Sequence, residues 1–463
     1  MSKINDLTTG SIFKKIVALA IPVLLTSISE MAYNLTDMFW IGKVDDIGFA
    51  EESAFSAIGT AGYILWFAFG IILVAKIGIS VKVSHYAGVS DLEGIRRYAS
   101  NGMLLQAGFG LTVSALILLL RHPLIGLFRL DSPVIIEGSL QYLSITGGFF
   151  FLQFVINGFV AINEGLGKTS VNLKILPVGL AMNMILDPLF IIGFRMGLQG
   201  AAWATVLAQG LTLGVFVLVH LTSRYRVFGF KRNLFHPQSC REILRIGLPA
   251  GIQSMFLTIC SMIVGIMVVG FGEKVFAAQR VGSQIEQLTW MIGGGFQTAL
   301  TVFVGQNFGA KNPSRIRKGT LFLASVLLPY AATVALTFAL FPGFWIGLFV
   351  DNDPETFAFG QQYLRILSVS QIFMMTEALA GGFFSGLGKT RIPSTAGIVG
   401  ALLRVPLAAV MSGLWGQNGI WWALNLSDGL KGIFLFLASL CFLLRPERLL
   451  PKNDPVPEIF LSA

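Results

Sequence analysis

The sequence predicts an all-α integral membrane protein, with twelve transmembrane helices in two pseudosymmetric six-helix lobes. Three observations carry this expectation. Hydrophobic residues make up 54% of the 463-residue chain and charged residues only 12%, about half the charge of an ordinary soluble protein. Apolar segments long enough to cross a bilayer core, roughly 20 helical residues, recur twelve times. Gly-Leu-Gly-Lys-Thr occurs at 165–169 and again at 386–390, an offset of 221. The same offset relates Gln141-Tyr142-Leu143 to Gln362-Tyr363-Leu364, and Ile125-Gly126-Leu127-Phe128 to Ile346-Gly347-Leu348-Phe349. Self-similarity at a fixed period marks a duplicated unit.

In chain order the spans are expected at 16–42, 55–81, 98–120, 136–162, 171–194, 199–222, 243–270, 275–304, 318–341, 357–384, 393–414 and 418–444. Residues 1–223 then form the first lobe, 224–242 a basic cytoplasmic linker, 243–445 the second lobe and 446–463 a cytoplasmic tail. Pro22 removes one backbone bond inside the first span and should act as its hinge. Pro249 holds a comparable place in the seventh.

Lys and Arg in the loops set the orientation. Of the 33 Lys and Arg residues, 23 fall on the side holding both termini and five opposite: Lys43, Arg121, Arg129, Arg195 and Lys274. That opposite side carries Asp45, Asp46, Glu51, Glu52, Asp351, Asp353 and Glu355. Both termini are therefore expected in the cytoplasm, with the protein in the plasma membrane, a cell inner membrane. The net charge of +9 serves topology and contact with anionic lipid, not nucleic acid. An even number of spans per copy places the repeat axis along the membrane normal. The first apolar run has no small-residue cleavage pattern and is its own anchor. Cys240, Cys260 and Cys441 show no paired spacing, so they read as small apolar residues, without disulfides or metal.

Two opposed bundles leave a cleft, and a charged side chain inside it marks function, since each costs about 2.5–3.5 kcal/mol at the bilayer centre. Away from span ends these residues are Glu30, Asp37, Lys76, Asp187, Arg280, Glu286, Arg365, Glu377, Arg404, Asp428 and Lys431. Glu30 sits seven residues before Asp37, on one helical face and about two turns deeper. Asn183 and Asp187, four apart, share a face. Their offset partners are Arg404 and Ala408, so the repeat is broken where the charge sits. An acid stranded in an apolar interior must be compensated by a proton or a hard cation. Asp37, Asn183, Asp187 and Thr205 supply the oxygens to seat H⁺ or Na⁺, and the sequence leaves that choice open. A plainer role for Asp187 is to satisfy the backbone freed at Pro188. Glu30, Glu286 and Glu377 are further candidates for coupling or cation recognition. Asp428 and Lys431 are spaced to pair with each other, Arg280 to snorkel, and Lys76 and Arg365 to serve as structural charges.

The repeated pentapeptide is no phosphate loop. That motif needs Gly five residues before the Gly of Gly-Lys-Thr, and Ile162 and Phe383 stand there. It reads as a helix end with Gly as the cap and Lys on the basic side. No nucleotide motif remains, so an ion gradient is the expected energy source.

These residues together resemble the multidrug and toxic compound extrusion (MATE) transporters of bacteria and archaea. The resemblance covers essentially the whole chain. It rests on the twelve-span plan, the paired Gly-Leu-Gly-Lys-Thr, Ile21-Pro22 and Thr36-Asp37-x-x-x-x-Gly42. Asn183-x-x-x-Asp187-Pro188, Gly200-Ala201-Ala202-Trp203-Ala204-Thr205 and Val304-Gly305-Gln306-Asn307-x-Gly309-Ala310 complete it. It implies a V-shaped pair of lobes and efflux of cationic or amphipathic compounds in exchange for H⁺ or Na⁺. It also implies that Asp37, Asn183, Asp187 and Thr205 form the first-lobe acidic cluster. A family branch with second-lobe carboxylates has an acid in the seventh span. Here only Gln253 is polar there, and Glu377 is a partial match.

The expected protein is thus an ion-coupled antiporter, not an enzyme, exporting organic cations or amphiphiles by alternating access. It needs no cofactor beyond H⁺ or Na⁺ and is expected to act as a monomer in the lipid bilayer. A flippase for lipid-linked sugars, from a related superfamily branch, is the alternative. It would need a wide basic cleft, for which Arg404, Arg365, Arg280 and Lys76 are the candidates. An enzyme has no nucleophile–base set to rest on, since His85, His122, His220 and His236 all lie near loops.

Overall fold

Long apolar runs become long helices, because a backbone in lipid must satisfy its own hydrogen bonds. The structure, a computed structural model, describes residues 5–41, 51–222, 235–350 and 353–451. Among these there is no strand. The first half holds α1 (Ile12–Ile41), α2 (Glu51–Gly88), α3 (Leu92–Gly126), α4 (Pro133–Gly148), α5 (Phe151–Gly165), α6 (Thr169–Pro188) and α7 (Gly197–Thr222). The second holds α8 (Pro237–Val269), α9 (Glu273–Gly309), α10 (Pro313–Leu340), the short α11 (Pro342–Gly347), α12 (Pro354–Leu367), α13 (Ser370–Gly386), α14 (Arg391–Trp415) and α15 (Gln417–Leu443).

Among the described residues ten helices are long and apolar enough to cross a membrane, or twelve spans if each bent pair counts as one. The bent pairs correct the sequence reading, which drew the fourth and tenth spans as continuous. α4 and α5 meet at 44°, and α12 and α13 at 52°. At the first break the ladder tightens, with Leu152 N–H bonding Phe149 O and Gln153 N–H bonding Phe150 O, both at 3.0 Å. At the second, side-chain amides serve the stripped carbonyls: Gln371 Nε2 donates to Leu367 O at 3.2 Å and Asn425 Nδ2 to Ile366 O at 2.6 Å. Pro22 behaves differently, since α1 continues through it as helix.

The 221-residue offset is also legible in the backbone. Ser90 and Lys311, one offset apart, both take positive φ, at 57° and 55°. The next residues, Asp91 and Asn312, both cap the following helix through their side chains.

Within the first half α1 packs on α6, α2 on α3 and α5, and α6 on α7; within the second α9 packs on α13 and α14 on α15. The halves meet where α2 crosses α8 and α9, and where α1 crosses α9. Four buried clusters form. One, around Phe154 and Ile191, belongs to the first half, and another, around Trp421 and Phe338, to the second. The other two cross over: Leu7, Ile16 and Leu19 join Phe303 and Phe383, and Ile243 joins Ile79 and Phe159. The shared clusters lie toward the end that carries residues 5–10 and the basic loops, here called the basic end.

The α2–α8 crossing is a backbone contact. A Cβ added to Gly78 would strike the Ile243 carbonyl, one on Gly247 the Val74 carbonyl and one on Gly251 the Gly70 carbonyl. Four residues forward on α2 match four back on α8, one turn per step, as small residues allow in membranes. Gly247→Leu should therefore lower stability by about 1–3 kcal/mol, read as a fall in melting temperature in detergent. Gly62→Leu, which meets open space, should leave it unchanged.

Candidate functional site

Among the described residues, two polar sites in the apolar interior hold candidate residues, one in each half. In the first, Pro188 ends the α6 ladder and the chain enters a single π turn, Leu189–Gly193, a feature common at functional positions. Asp187 stands at that junction. One turn earlier, Asn183 Nδ2 donates to Asp187 Oδ1 at 2.6 Å. Asp187 is 0% and Asn183 3% exposed, so an ion can reach this carboxylate only when neighbouring helices move. The structure brings these two residues together as their spacing required. Thr205, on α7, directs its hydroxyl to Ala201 O at 3.0 Å within its own helix. Asp37 is part of α1, which packs along α6, but its side chain lies outside the described ones.

Glu30 is exposed on α1. Lys76 of α2 acts electrostatically on it and on Glu164. Glu164, only 8% exposed, escaped the sequence reading because it falls just beyond the expected fourth span, 136–162, where charges usually reach water.

In the second half α8, α9, α12, α13, α14 and α15 line a cavity of about 240 Å³. Glu286 lies on its wall. Tyr363 OH donates to Glu286 Oε2 at 2.7 Å and Gln371 Nε2 to Oε1 at 2.8 Å. Tyr363 is placed by the Trp421 ring, edge-on at 5.4 Å, and Trp421 Nε1 donates to Gln279 Oε1 at 2.9 Å. The remaining charges of the cavity form one chain. Glu377 Oε2 lies 2.6 Å from Lys431 Nζ, Lys431 Nζ 3.0 Å from Asp428 Oδ1, and Asp428 Oδ1 2.6 Å from Arg404 Nη2.

The expected Asp428–Lys431 pair is therefore present, extended by one charge at each end. Glu377, a candidate for cation recognition, already holds Lys431. Glu286 makes no ion pair among the described residues; neutral donors hold it. Its partners were missed by the sequence reading. Tyr363 could have been found, because it is the repeat partner of Tyr142 in a matched segment; Gln371 carried no signal. Gln253 lies outside the cavity, with its amide packed over Gly397 of α14. Arg280 and Arg365 are exposed.

A larger groove, about 760 Å³, opens beside Met411, Trp415, Trp422 and Leu426. Its lining is almost wholly apolar and comes from α14 and α15. Among the described residues no group of three or more His, Cys, Asp or Glu could hold a metal ion.

The MatE family model matches residues 22–189 and 249–410 of this chain. The probable multidrug resistance protein YpnP of Bacillus subtilis is 26% identical, over 95% of this chain and 96% of its own. The probable multidrug resistance protein NorM of Pseudomonas aeruginosa is 29% identical, over 95% of this chain and 91% of its own. An outward-facing multidrug resistance MATE family transporter of the MOP superfamily superposes with a TM-score of 0.86 at 21% identity, covering 96% of this chain and 98% of that one.

Removing one member of a buried charge chain strands its partners, at about 3–5 kcal/mol. Lys431→Met should therefore lower the melting temperature sharply. Adding Glu377→Gln should recover part of the loss, because one stranded carboxylate is gone. Equal melting of the single and double variants would show that the two groups are not coupled.

Proposed function

Since this chain belongs to the MatE family, we propose that it exports several organic cations or cationic amphiphiles in exchange for H⁺ or Na⁺, by alternating access. The observation that carries the reading is Asp187, a fully buried carboxylate set where α6 gives way to a π turn and bonded to Asn183 one turn earlier. The repeat partners Arg404 and Ala408 offer no equivalent acid, so coupling belongs to the first half. Asp37 on the neighbouring helix is the second acid of the cluster. Thr205 keeps an oxygen able to face a cation.

Glu286 is the reading's seat for the substrate's positive charge. It is the cavity acid without an ion pair, and it is flanked by Tyr363 and Trp290, whose faces attract cations. A cavity of about 240 Å³ falls below the roughly 300–1,000 Å³ that takes a drug-sized ligand. It seats a head group, and the rest of the amphiphile lies in the cleft between the halves.

In the cycle proposed here, Asp187 and Asp37 take up the ion from the side away from the termini. Neutralising them removes their mutual repulsion and lets α1 bend at Pro22, which closes the cleft and expels substrate. The excess of Lys and Arg puts both termini in the cytoplasm, so that release is outward. A flippase for lipid-linked sugars is less well supported, because Arg404 and Lys431 are neutralised by Asp428 and Glu377 and offer no free basic cleft.

Ethidium efflux from proteoliposomes, with H⁺ and Na⁺ gradients imposed separately, tests the reading. Asp187→Asn should abolish gradient-driven efflux and weaken substrate binding, because Asn mimics the neutralised acid. Glu286→Gln should instead raise KM by about tenfold or more, the worth of one charged contact. Full gradient-driven efflux by Asp187→Asn would end the proposal.

A further inference from the structure

The repeated pentapeptide plays no part in that cycle, yet each copy is bonded to the opposite half. We propose that the two Gly-Leu-Gly-Lys-Thr helix ends, with His85 and Gln306, form a reciprocal latch that closes the basic end and must open in every transport cycle. This rests on the alternating-access reading above but not on the identity of ion or substrate.

Each pentapeptide ends a helix in the same way. Gly167 and Gly388 take φ of 71° and 70°. Lys168 N–H bonds Asn163 O at 2.7 Å and Lys389 N–H bonds Phe384 O at 2.8 Å, while Gly167 N–H bonds Glu164 O at 2.7 Å and Gly388 N–H bonds Ser385 O at 2.8 Å. This is the glycine-capped helix end known as the Schellman motif. The next carbonyls, of Gly165 and Gly386, have no partner within that motif.

Those carbonyls are met from the other half. His85 Nε2, on α2, lies 2.7 Å from Gly386 O. A carbonyl only accepts, so Nε2 carries the proton there. Gln306 Nε2, on α9, donates to Gly165 O at 3.4 Å. His85 and Gln306 are 221 residues apart, as are Gly165 and Gly386. Each half therefore holds the helix end of the other. The backbones approach with the same symmetry: a Cβ on Gly88 would strike the Gln306 carbonyl, and one on Gly309 the His85 carbonyl.

The threonines connect this latch to the proline turns. Thr169 Oγ1 donates to Leu19 O at 3.1 Å, and Thr390 Oγ1 donates to Ile246 O. Leu19 stands three residues before Pro22 and Ile246 three before Pro249, where the missing proline N–H disturbs the ladder. A change at either proline turn thus pulls on the latch. One component is not duplicated. Leu7 N–H donates to Gln306 Oε1 at 3.1 Å, Asn307 Nδ2 donates to Leu7 O at 3.3 Å, and Arg315 Nε donates to Leu7 O at 2.9 Å. This N-terminal strap holds Gln306 in place on one side of the latch.

The test is a distance between spin labels at Arg96 and Ser314, exposed residues at the basic end of opposite halves, with the three native cysteines replaced. In detergent, without substrate or gradient, the parent should show a mainly short distance. His85→Leu with Gln306→Leu should raise the long-distance population roughly tenfold, the worth of two hydrogen bonds. His85→Gln, which gives both halves the same amide, should match the parent. Should the double variant not fold, His85→Leu alone and Thr390→Val are read with the same labels and should shift the same way. An unchanged distribution in these variants, or equal shifts in His85→Gln and His85→Leu, would overturn the proposal. The distance is read whether or not ethidium efflux is seen, so the two readings fail separately.

Discussion

An apolar interior accepts a polar group only when something inside compensates it, because no water is there to do so. This constraint shapes the structure at every scale. It explains why the amides of Gln371 and Asn425 serve the carbonyls at the break in the tenth span. It explains why the carbonyls of Gly165 and Gly386 are met by side chains reaching across from the opposite half. It also makes Asp187 a focus of the structure, since a carboxylate with no exposure to solvent stands in the first half.

The two halves share a fold and answer the constraint in opposite ways. The first keeps Asn183 and Asp187 on α6, an amide and an acid. The second has Arg404 and Ala408 at those positions and runs Glu377, Lys431, Asp428 and Arg404 into one chain of alternating sign. A chain of that kind is already neutral and resists change. In the proposed cycle the first half responds to the ion, and the neutralised chain of the second provides a firm wall for Glu286. Duplication supplied the scaffold, and divergence at a few buried positions made the two halves chemically different.

Much of this was legible in the chain. Apolar length located the spans, and the 221-residue offset located the halves, because both depend on residues close in sequence. The Asn183–Asp187 bond followed from four-residue spacing alone. What stayed hidden depends on which helices become neighbours. Nothing local pairs Glu377 with Lys431, or Gln371 with Glu286, across separate helices. The bends near Phe149 and Val369 carry no proline to announce them. The pentapeptide was read correctly as a capped helix end, but its bonds to the other half needed the fold. Asp37 was legible as a candidate, and its side chain lies outside the described structure.

The central claim is that the Asp187 carboxylate gives up its ion when substrate binds. The most direct measurement is ion release on adding ethidium to purified protein, followed with a pH indicator and a Na⁺ electrode, for the parent and Asp187→Asn. The account predicts release of H⁺ or Na⁺ by the parent and none by the variant at saturating ethidium. Equal release from both would contradict it.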